Sequence, residues 1–448
     1  MKPLFDTDHL YKAYFKLSLP MALGLMVSLI YNLADTYFVA LTGNTNLIAG
    51  VSLCAPLFTA LMAFGNIFGQ GGSSLISRML GMNSTDGTHR ASSFSFYGGL
   101  ITGVVIGVFC LIVKTPLLHA FGATEETMSY ANEYYTALSI GSPLIVLAFV
   151  HSNIVRCEGR STDAMIATIL GAVINIVLDP LFIFTLGMGA KGAAIATVIG
   201  YTGNTAYSFY TACKKCHSLS VNPKECHVNK NELASILGVG ITAALSNIMQ
   251  SLTTAINNQY LLPYGNDKIA TLGIVLKVTS IPLMIICGFA FGGIPLYGYL
   301  YGAKDKKNLF KLIRFNVIFL SAIGIVLSAV IMVFAKQFIG LFLKDESLIS
   351  SGIYMLRLQA ITTVLVAIIM FFTVFFQALG KVIPAFILSI SRQGVVFVVA
   401  IVICSNLFGY TGVVMSQAVA DVISTIIAVL LLVFFNPLKG LNETSENK

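Results

Sequence analysis

The sequence predicts an all-α polytopic membrane protein whose twelve transmembrane helices form two six-helix pseudo-repeat lobes. The composition is the first observation behind this prediction, because 56% of the 448 residues are hydrophobic and only 10% are charged, against about 25% charged residues in soluble domains. The second is a series of apolar segments that are long enough to cross a bilayer as helices and lack strand-like alternation. The third is an internal repeat at an offset of roughly 221 residues.

The apolar segments follow one another along the chain with short polar connections between them. The first 16 residues are polar and lack a small-residue cleavage site, and the apolar segment after them is too long for a signal peptide, so we predict that it is retained as the first helix. In chain order, the predicted spans cover residues 17–41, 50–77, 93–113, 132–155, 162–186, 190–212, 233–262, 269–300, 312–335, 352–379, 382–404 and 410–435.

The distribution of Lys and Arg predicts the orientation in the membrane. With the N-terminus inside, the cytoplasmic segments contain 19 of these residues and the outer segments contain 6. The positive-inside rule then places both termini in the cytoplasm. We predict a multi-pass protein of the plasma (inner) membrane, and we attribute the net charge of +8 to its cytoplasmic loops rather than to nucleic-acid binding.

The longest polar stretch divides the chain near its middle, from Lys214 to Glu232. We predict an N-terminal six-helix lobe at residues 1–212, a cytoplasmic linker at 213–232, a C-terminal six-helix lobe at 233–436 and a cytoplasmic tail at 437–448. Glycines recur at corresponding places in the two lobes, and parallel repeats with a site between them are a transporter architecture. The matching pairs are Gly43 with Gly265, Gly81 with Gly302, Gly159 with Gly380, Gly189 with Gly409 and Gly192 with Gly412.

Two carboxylates lie within predicted spans of the first half, where each charge costs about 2.5 to 3.5 kcal/mol on insertion scales. Asp35, Asp179 and Thr197 all fall in the outer half of the membrane, and Asn175 shares a helix face with Asp179 four residues later. Converging oxygen atoms suit a hard cation such as Na⁺. Two neighbouring carboxylates in a low dielectric would also retain at least one proton near neutral pH.

The alternative interpretation is a buried carboxyl that hydrogen bonds satisfy and that has only a structural role. The repeat argues against this alternative, because Asn257 occupies the second-half position that corresponds to Asp35. Pro180 follows Asp179 directly and frees a backbone carbonyl one turn earlier, and we expect it to let the fifth helix bend. We therefore expect only the first half to be equipped for coupling to an ion.

The second half has its own intramembrane charges, each about ten residues inside its predicted span. Equal depth makes mutual pairing of Lys277, Arg392 and Asp421 plausible. One interpretation is a structural ion pair with a spare cation. The other is a polar cluster that takes part in gating or in sensing the substrate.

A group of cysteines and histidines lies in the predicted linker, and its role stays open. The C-x-x-C-H pattern is typical of c-type haem attachment, which does not normally occur in the cytoplasm, and the spacing fits no common zinc site. We find no motif of an enzyme and expect no cofactor. The residues are Cys213, Cys216, His217, Cys226 and His227.

Three segments resemble the multidrug and toxic compound extrusion (MATE) family. They are LSLPMALGLMVSLIYNLADTYFVA at 17–40, SRMLGMN at 77–83 and NIVLDPLFIFTLGMGAKGAAIAT at 175–197. The resemblance extends over essentially the whole chain. It implies antiport of small organic cations, driven by Na⁺ or H⁺, through a V-shaped cavity between two lobes.

The resemblance also assigns roles to particular residues. It implies that Asp35, Asn175, Asp179 and Thr197 form a first-lobe cation site and that Pro20 lies in a bending first helix. Some members of the family carry a second-lobe carboxylate site in their seventh and tenth spans, where this sequence has no Asp or Glu. We therefore expect the branch with a first-lobe carboxylate site.

Three other functions compete with this interpretation. A flippase for a lipid-linked precursor, from the same broad superfamily, would need a more cationic central cavity. An intramembrane enzyme would need a catalytic constellation within the spans, and a channel would need a pore-loop motif; the sequence shows neither. We expect a transporter that contacts the bilayer and its small-molecule substrates, does not bind nucleic acid, and is a monomer.

Overall fold

The computed structural model describes residue 5, residues 8–343 and residues 345–436. The predicted tail at 437–448 lies outside the described residues. Across this described part the chain is helical and contains no β-strand. The all-α fold with two lobes of membrane-spanning helices is confirmed.

Within these described residues, twelve long helices follow one another along the chain. They are α1 Leu10–Ala40, α2 Thr45–Gly81, α3 Thr85–Ile112, α4 Glu125–Cys157, α5 Ser161–Thr185, α6 Gly189–Lys214, α7 Lys230–Leu261, α8 Asn266–Gly302, α9 Lys306–Gly340, α10 Glu346–Ile361 continued by Thr363–Ala378, α11 at residues 382–408 and α12 at residues 410–434. A short helix, Lys114–Ala120, lies between α3 and α4.

Length and hydropathy alone identify fewer spans than the fold contains. In the described part, nine helices meet both criteria, and the two pieces of α10, bent by 45°, make a tenth span. The stretch Val382–Phe434 counts once but holds two spans, because Gly409 has φ 55° and breaks the helix. The remaining span is α6, which is rich in Ala, Gly and Thr and is therefore less hydropathic.

The internal repeat is visible in the backbone. Gly43, Gly159 and Gly189 have positive φ angles, and so do their predicted counterparts in the second half, Gly265, Gly380 and Gly409. Among the described residues, two that are not glycine have positive φ, Asn83 and Lys304, and they are also 221 positions apart, since 304 − 83 = 221. Left-handed backbone is unfavourable for most residues. Because positive φ recurs at matching helix ends, the connections between helices have the same backbone conformation in both halves.

The lobes meet mainly on one side of the bundle, where α6 ends and α7 begins, which is called the linker side below. Helices α1–α6 pack among themselves, as α7–α12 do, while α2 packs against α7 and α1 against α8. A Cβ at Gly71 would lie 2.1 Å from the Ile236 carbonyl oxygen, and one at Gly240 would lie 2.0 Å from that of Ile67. The α2 and α7 backbones therefore touch directly, as small residues permit.

The chain between α6 and α7 lies against the first lobe. The Ser220 carbonyl accepts hydrogen bonds from the Ser92 and Ser93 hydroxyls at 3.0 Å each, and the Val221 carbonyl accepts one from the Tyr97 hydroxyl at 3.0 Å. These contacts tie the segment to the start of α3. The lobe and linker boundaries at residues 212 and 233 stay a prediction.

Candidate functional site

The geometry of α5 places its two polar residues beside each other inside the first lobe. Asn175 and Asp179 are 1% and 0% exposed. Pro180 has no N–H, and the helix continues after it from Leu181 to Thr185 as a π-helix, closed by a 2.9 Å hydrogen bond from the Leu186 N–H to the Leu181 carbonyl. Such π-helical turns leave backbone groups outside the regular ladder and are frequent at functional sites.

Thr197 of α6 completes a hydrogen-bonded group with these residues. In the amide orientation that satisfies its neighbours, Asn175 donates to Asp179 Oδ2 at 2.9 Å and accepts from the Thr197 backbone N–H at 3.1 Å. The Thr197 hydroxyl donates to the Ala193 carbonyl at 3.0 Å. Asn175 is thus fixed between α5 and α6, and it orients the Asp179 carboxyl.

Asp35 of α1 joins this group from across the lobe. Its carboxyl lies within hydrogen-bonding reach of the Asp179 carboxyl. Its Oδ1 atom is shielded from solvent and has no hydrogen-bond partner. Among the described residues, neither aspartate takes part in an ion pair. The structure therefore brings together all four residues that the sequence assigns to the cation site.

In this arrangement two carboxyls lie together with too few hydrogen-bond donors around them. A buried carboxylate oxygen without a donor or a cation is unfavourable. A hard cation such as Na⁺ would be held by the oxygen atoms present, and a shared proton would bridge the two carboxyls. The oxygen atoms of this group thus fit either Na⁺ or H⁺ as the coupling ion.

The second lobe presents a different charge arrangement. Arg392 Nε donates to Asp421 Oδ1 at 2.8 Å, and Gln417 donates to the same oxygen at 3.1 Å. Lys277 is exposed and, within the described part of the chain, forms no ion pair. Of the three residues that the sequence groups in this lobe, the structure pairs two and does not bring Lys277 to them.

A cavity of about 370 Å³ lies between the lobes, within the size range of sites for drug-sized ligands. Asn175 and Thr197 border it, so the first-lobe group faces the same space. Most of its wall consists of apolar, amide and hydroxyl side chains. Among the described residues that line it, only Arg156 and Arg392 carry a charge.

The linker-side end of the cavity, called the floor below, contains polar residues that sequence analysis did not assign to a site. Arg156 and Gln377 lie one residue from the linker-side ends of α4 and α10, and Gln70 of α2 also lines the cavity. One polar atom of each is shielded and lacks a hydrogen-bond partner. The spacing of Asn153 and Arg156, three residues apart on α4, was the available signal, but the sequence analysis places Arg156 among the cytoplasmic charges.

The two prolines predicted to bend helices lie in different settings. Pro20 is inside α1, which runs without interruption from Leu10 to Ala40. Pro180 lies at the change from α-helical to π-helical backbone in α5. Both positions lack a backbone donor, so each weakens its helix locally.

The linker contains the cysteines and histidines whose role the sequence leaves open. Within the residues that the structure describes, no group of three or more His, Cys, Asp or Glu side chains is placed to hold a metal ion. Glu158 Oε1 instead accepts a hydrogen bond from the His217 backbone N–H at 2.8 Å. That contact fastens the linker to the end of α4.

Known proteins similar to this chain have the same organisation. The MatE family model matches residues 20–181 and 242–403, two segments of equal length. The multidrug export protein MepA of Staphylococcus haemolyticus is 31% identical, over 96% of this chain and 94% of that protein. A multidrug resistance MATE family transporter of the MOP superfamily, solved in an outward-facing conformation, has a TM-score of 0.91 at 28% identity and covers 98% of this chain and 99% of that one. MATE crystallised in a bent conformation has a TM-score of 0.89 at 29% identity, with 96% of each chain covered.

Proposed function

The chain belongs to the MatE family of multi-pass membrane transporters, and on that premise we propose that it is a secondary active multidrug efflux antiporter that exports organic cations in exchange for Na⁺ or H⁺. Its curated relatives are named multidrug export proteins. A cavity between two lobes, walled by apolar and amide side chains, supports transport of drug-sized molecules.

One observation carries the proposed coupling. The Asp35 and Asp179 carboxyls lie side by side without a basic partner among the described residues, and Asp35 Oδ1 has no hydrogen-bond donor. A site of this kind gains free energy when a cation or a proton enters it. Because Asn175 and Thr197 also border the cavity, binding of the ion at this group would act on the wall of the substrate site.

The proposed mechanism is alternating access with competition between ion and substrate. An ion shifts an equilibrium between two conformations only by its different affinity for them. We propose that entry of the ion draws α1 and α5 together, with Pro20 and Pro180 as the places where these helices bend. A solved relative in a bent conformation supports bending within this fold.

The proposal also includes the placement of the protein. Both termini and the linker at 213–232 lie in the cytoplasm of a plasma (inner) membrane protein, in keeping with the excess of Lys and Arg on that side. The linker side is then the cytoplasmic side. We propose that the transporter acts as a monomer, with its lobes at residues 1–212 and 233–436.

The test is export of a fluorescent organic cation from proteoliposomes, with Na⁺ and pH gradients imposed separately. The parent is expected to move the dye under one gradient, and Asp35→Asn is expected to reduce the gradient-driven rate about 100-fold, since it removes a carboxylate that binds the ion. Gradient-driven export at the parental rate in Asp35→Asn would overturn the assignment of the site.

The matched control is Asp345→Asn, which makes the same chemical change at an exposed helix N-cap. Asp345 Oδ1 accepts hydrogen bonds from the Ser347 and Leu348 backbone N–H groups at 2.8 and 3.2 Å. Asn caps a helix about as well as Asp. This variant should therefore transport as the parent does, and an equal loss in both variants would point to general damage.

A flippase for a lipid-linked precursor is the second candidate, and the two arginines of the cavity wall favour it. Arg392 is neutralised by Asp421, so among the described residues of the cavity wall Arg156 is the cation without an ion-pair partner. Movement of a labelled anionic lipid between leaflets, without gradient-driven export of dye, would support the flippase. Export of dye without lipid movement would support the antiporter.

A further inference from the structure

The first turns of α1 and of α9 lie against each other, although the two helices belong to different lobes. The ring centroids of Tyr11 and Phe315 are 4.5 Å apart, and those of Phe15 and Phe319 are 5.1 Å apart. Both contacts advance by four residues along each helix, since 15 − 11 = 4 and 319 − 315 = 4, so α1 and α9 run in the same direction here. This aromatic contact joins the lobes near the linker-side ends of both helices.

Basic side chains accompany this contact on both helices, and they are called the basic patch below. All of them are exposed. They are Lys12 and Lys16 of α1 and Lys307, Lys311 and Arg314 of α9.

Helical geometry brings the two halves of the basic patch to the same side of the aromatic contact. At 3.6 residues per turn, the three basic residues of α9 lie roughly 40° to 100° to one side of Phe315. The two basic residues of α1 lie roughly 100° to 140° from Tyr11 in the opposite direction of rotation. Because the two helices are parallel and face each other, opposite rotations lead to one common side. The patch therefore flanks a single groove between the lobes.

The positive charge of the basic patch is not neutralised by the protein around it. Within the described part of the chain, none of its five residues takes part in an ion pair. The acidic residues in the stretches 8–19 and 304–318 are Asp8 and Asp305. Asp305 caps α9, where its carboxylate accepts from the Asn308 backbone N–H at 3.0 Å and from the Asn308 side chain at 2.8 Å. Like charges gathered in this way attract an anion.

Exposed apolar side chains continue from the basic patch along the same helix faces. Leu19 and Leu23 of α1 are seven and eleven residues beyond Lys12, since 19 − 12 = 7 and 23 − 12 = 11. Ile318 of α9 is seven residues beyond Lys311, since 318 − 311 = 7, and it is exposed as well. Such spacings return to nearly the same side of a helix. The groove thus has a basic end and an apolar length within the membrane-spanning part.

We propose that the basic patch binds the headgroup of an anionic phospholipid, whose acyl chains lie along α1 and α9. Clusters of Lys and Arg next to a membrane attract anionic lipids, and Arg forms paired hydrogen bonds with a phosphate. A free phosphate would leave the apolar length of the groove unused. The positive-inside rule accounts for basic residues on this side of the membrane. It does not account for their convergence from two lobes on one groove.

The test uses a fluorescent reporter at the basic patch. The chain contains no Trp, so Tyr11→Trp introduces a single fluorophore and keeps an aromatic ring against Phe315. The protein is reconstituted in bilayers that contain phosphatidylglycerol or phosphatidylcholine with brominated acyl chains, which quench Trp on contact. We expect a relative affinity for phosphatidylglycerol of about 25-fold or more, because each basic residue near an anionic headgroup contributes roughly fivefold. Equal quenching by the two lipids would overturn the inference.

Charge removal on either helix should weaken this preference. In the Tyr11→Trp protein, Lys311→Gln combined with Arg314→Gln should lower the affinity ratio about 25-fold, since two basic residues are lost. Lys12→Gln combined with Lys16→Gln removes the same charge from α1 and should have a similar effect. An unchanged ratio in both double variants would contradict a headgroup site on this patch.

The matched control removes two lysines elsewhere on the linker side. Lys214 ends α6, Lys230 begins α7, and both are exposed. Lys214→Gln combined with Lys230→Gln should change the affinity ratio less than about twofold, because neither residue flanks the groove. A loss equal to that of the patch variants would show that the overall charge of this side attracts the lipid, and the site would be refuted.

Two further measurements establish the place and the ligand. Tyr210 of α6 is also exposed near the linker side, and Tyr210→Trp should report a much weaker preference than Tyr11→Trp; equal preferences would argue against a defined site. Replacing chloride by inorganic phosphate at equal ionic strength should leave the quenching at Tyr11→Trp unchanged. Loss of quenching in phosphate would mean that the patch takes a free anion instead of a lipid. No gradient or transported molecule is needed, so the outcome is independent of the proposed antiport.

Discussion

Both lobes contain a carboxylate that is almost completely buried, but they surround it differently. Asp179 in the first lobe is 0% exposed and lies against a second carboxyl, that of Asp35. Asp421 in the second lobe is 1% exposed and accepts from Arg392 at 2.8 Å. The repeat thus supplies the same helices twice, while the charge next to the carboxylate differs.

The difference shows how a shared backbone acquires two roles. A carboxylate that a guanidinium already neutralises has little to gain from Na⁺ or a proton. A carboxylate beside another carboxylate gains from either one. Ion coupling is therefore expected in the first lobe, and the second lobe is expected to hold a fixed charge pair.

Each lobe also interrupts a helix with π-helical backbone next to its charged residue. In α5 the π-helix at Leu181–Thr185 begins two residues after Asp179, and in α11 the π-helix at Ser391–Val395 contains Arg392. The two interruptions lie at different distances from the starts of their helices, so they are not copies of one repeated feature. Both place backbone groups outside the regular ladder near a buried charge.

The largest expected effect is a difference in protein stability between variants of the two buried carboxylates, Asp421 and Asp179. Asp421→Asn leaves Arg392 without its partner and should destabilise the protein by about 3 kcal/mol, the usual cost of breaking a buried ion pair. Asp179→Asn removes a carboxylate that has no cation beside it and should leave stability unchanged or raise it. Thermal unfolding in detergent measures both variants, and equal destabilisation would contradict the comparison.

The next effect concerns stabilisation by the coupling ion. At ten times its Kd, a bound ion stabilises the folded state by about 1.4 kcal/mol. Adding Na⁺, or lowering the pH if the ion is H⁺, should raise the unfolding temperature of the parent and of Asp421→Asn. The shift should vanish in Asp35→Asn, and its persistence there would place the ion elsewhere.

A smaller effect is expected when the second lobe receives a carboxylate. Asn257 is 9% exposed and occupies the position that corresponds to Asp35. Asn257→Asp should destabilise the protein by about 1 kcal/mol, because it adds a buried charge without a second carboxylate or a fixed amide to share an ion. Unfolding temperatures at several ion concentrations test this, and a new ion response would show that the second lobe needs only one carboxyl.

The smallest effect comes from an ion pair in a more exposed setting. Arg90 of α3 donates to Glu232 of α7 at 2.7 Å and links the lobes, with the Arg90 side chain 29% exposed and the Glu232 side chain 5% exposed. A double-mutant cycle with Arg90→Gln and Glu232→Gln should give a coupling energy below about 1 kcal/mol. A value near that of the Arg392–Asp421 pair would mean that burial does not explain the difference between the pairs.

Much of the site could be predicted because it depends on local spacing. Asn175 and Asp179 share a helix face at any rotation of the helix, since four residues separate them. Asp35 and Thr197 could be added because their depths matched. The grouping of Lys277 with Arg392 and Asp421 also rested on depth, but depth does not specify which way a helix faces.

The sequence by itself determined the twelve helices, the repeat and the unequal distribution of carboxylates between its halves, since these depend on hydropathy, on glycines that allow positive φ and on the cost of intramembrane charge. Only the tertiary structure decided that Arg392 pairs with Asp421 and that Arg156 lines the cavity. The physical reason is that lipid and protein interior are equally apolar. A helix surrounded by both carries no hydrophobic stripe that would show, before folding, which of its faces turns toward the cavity.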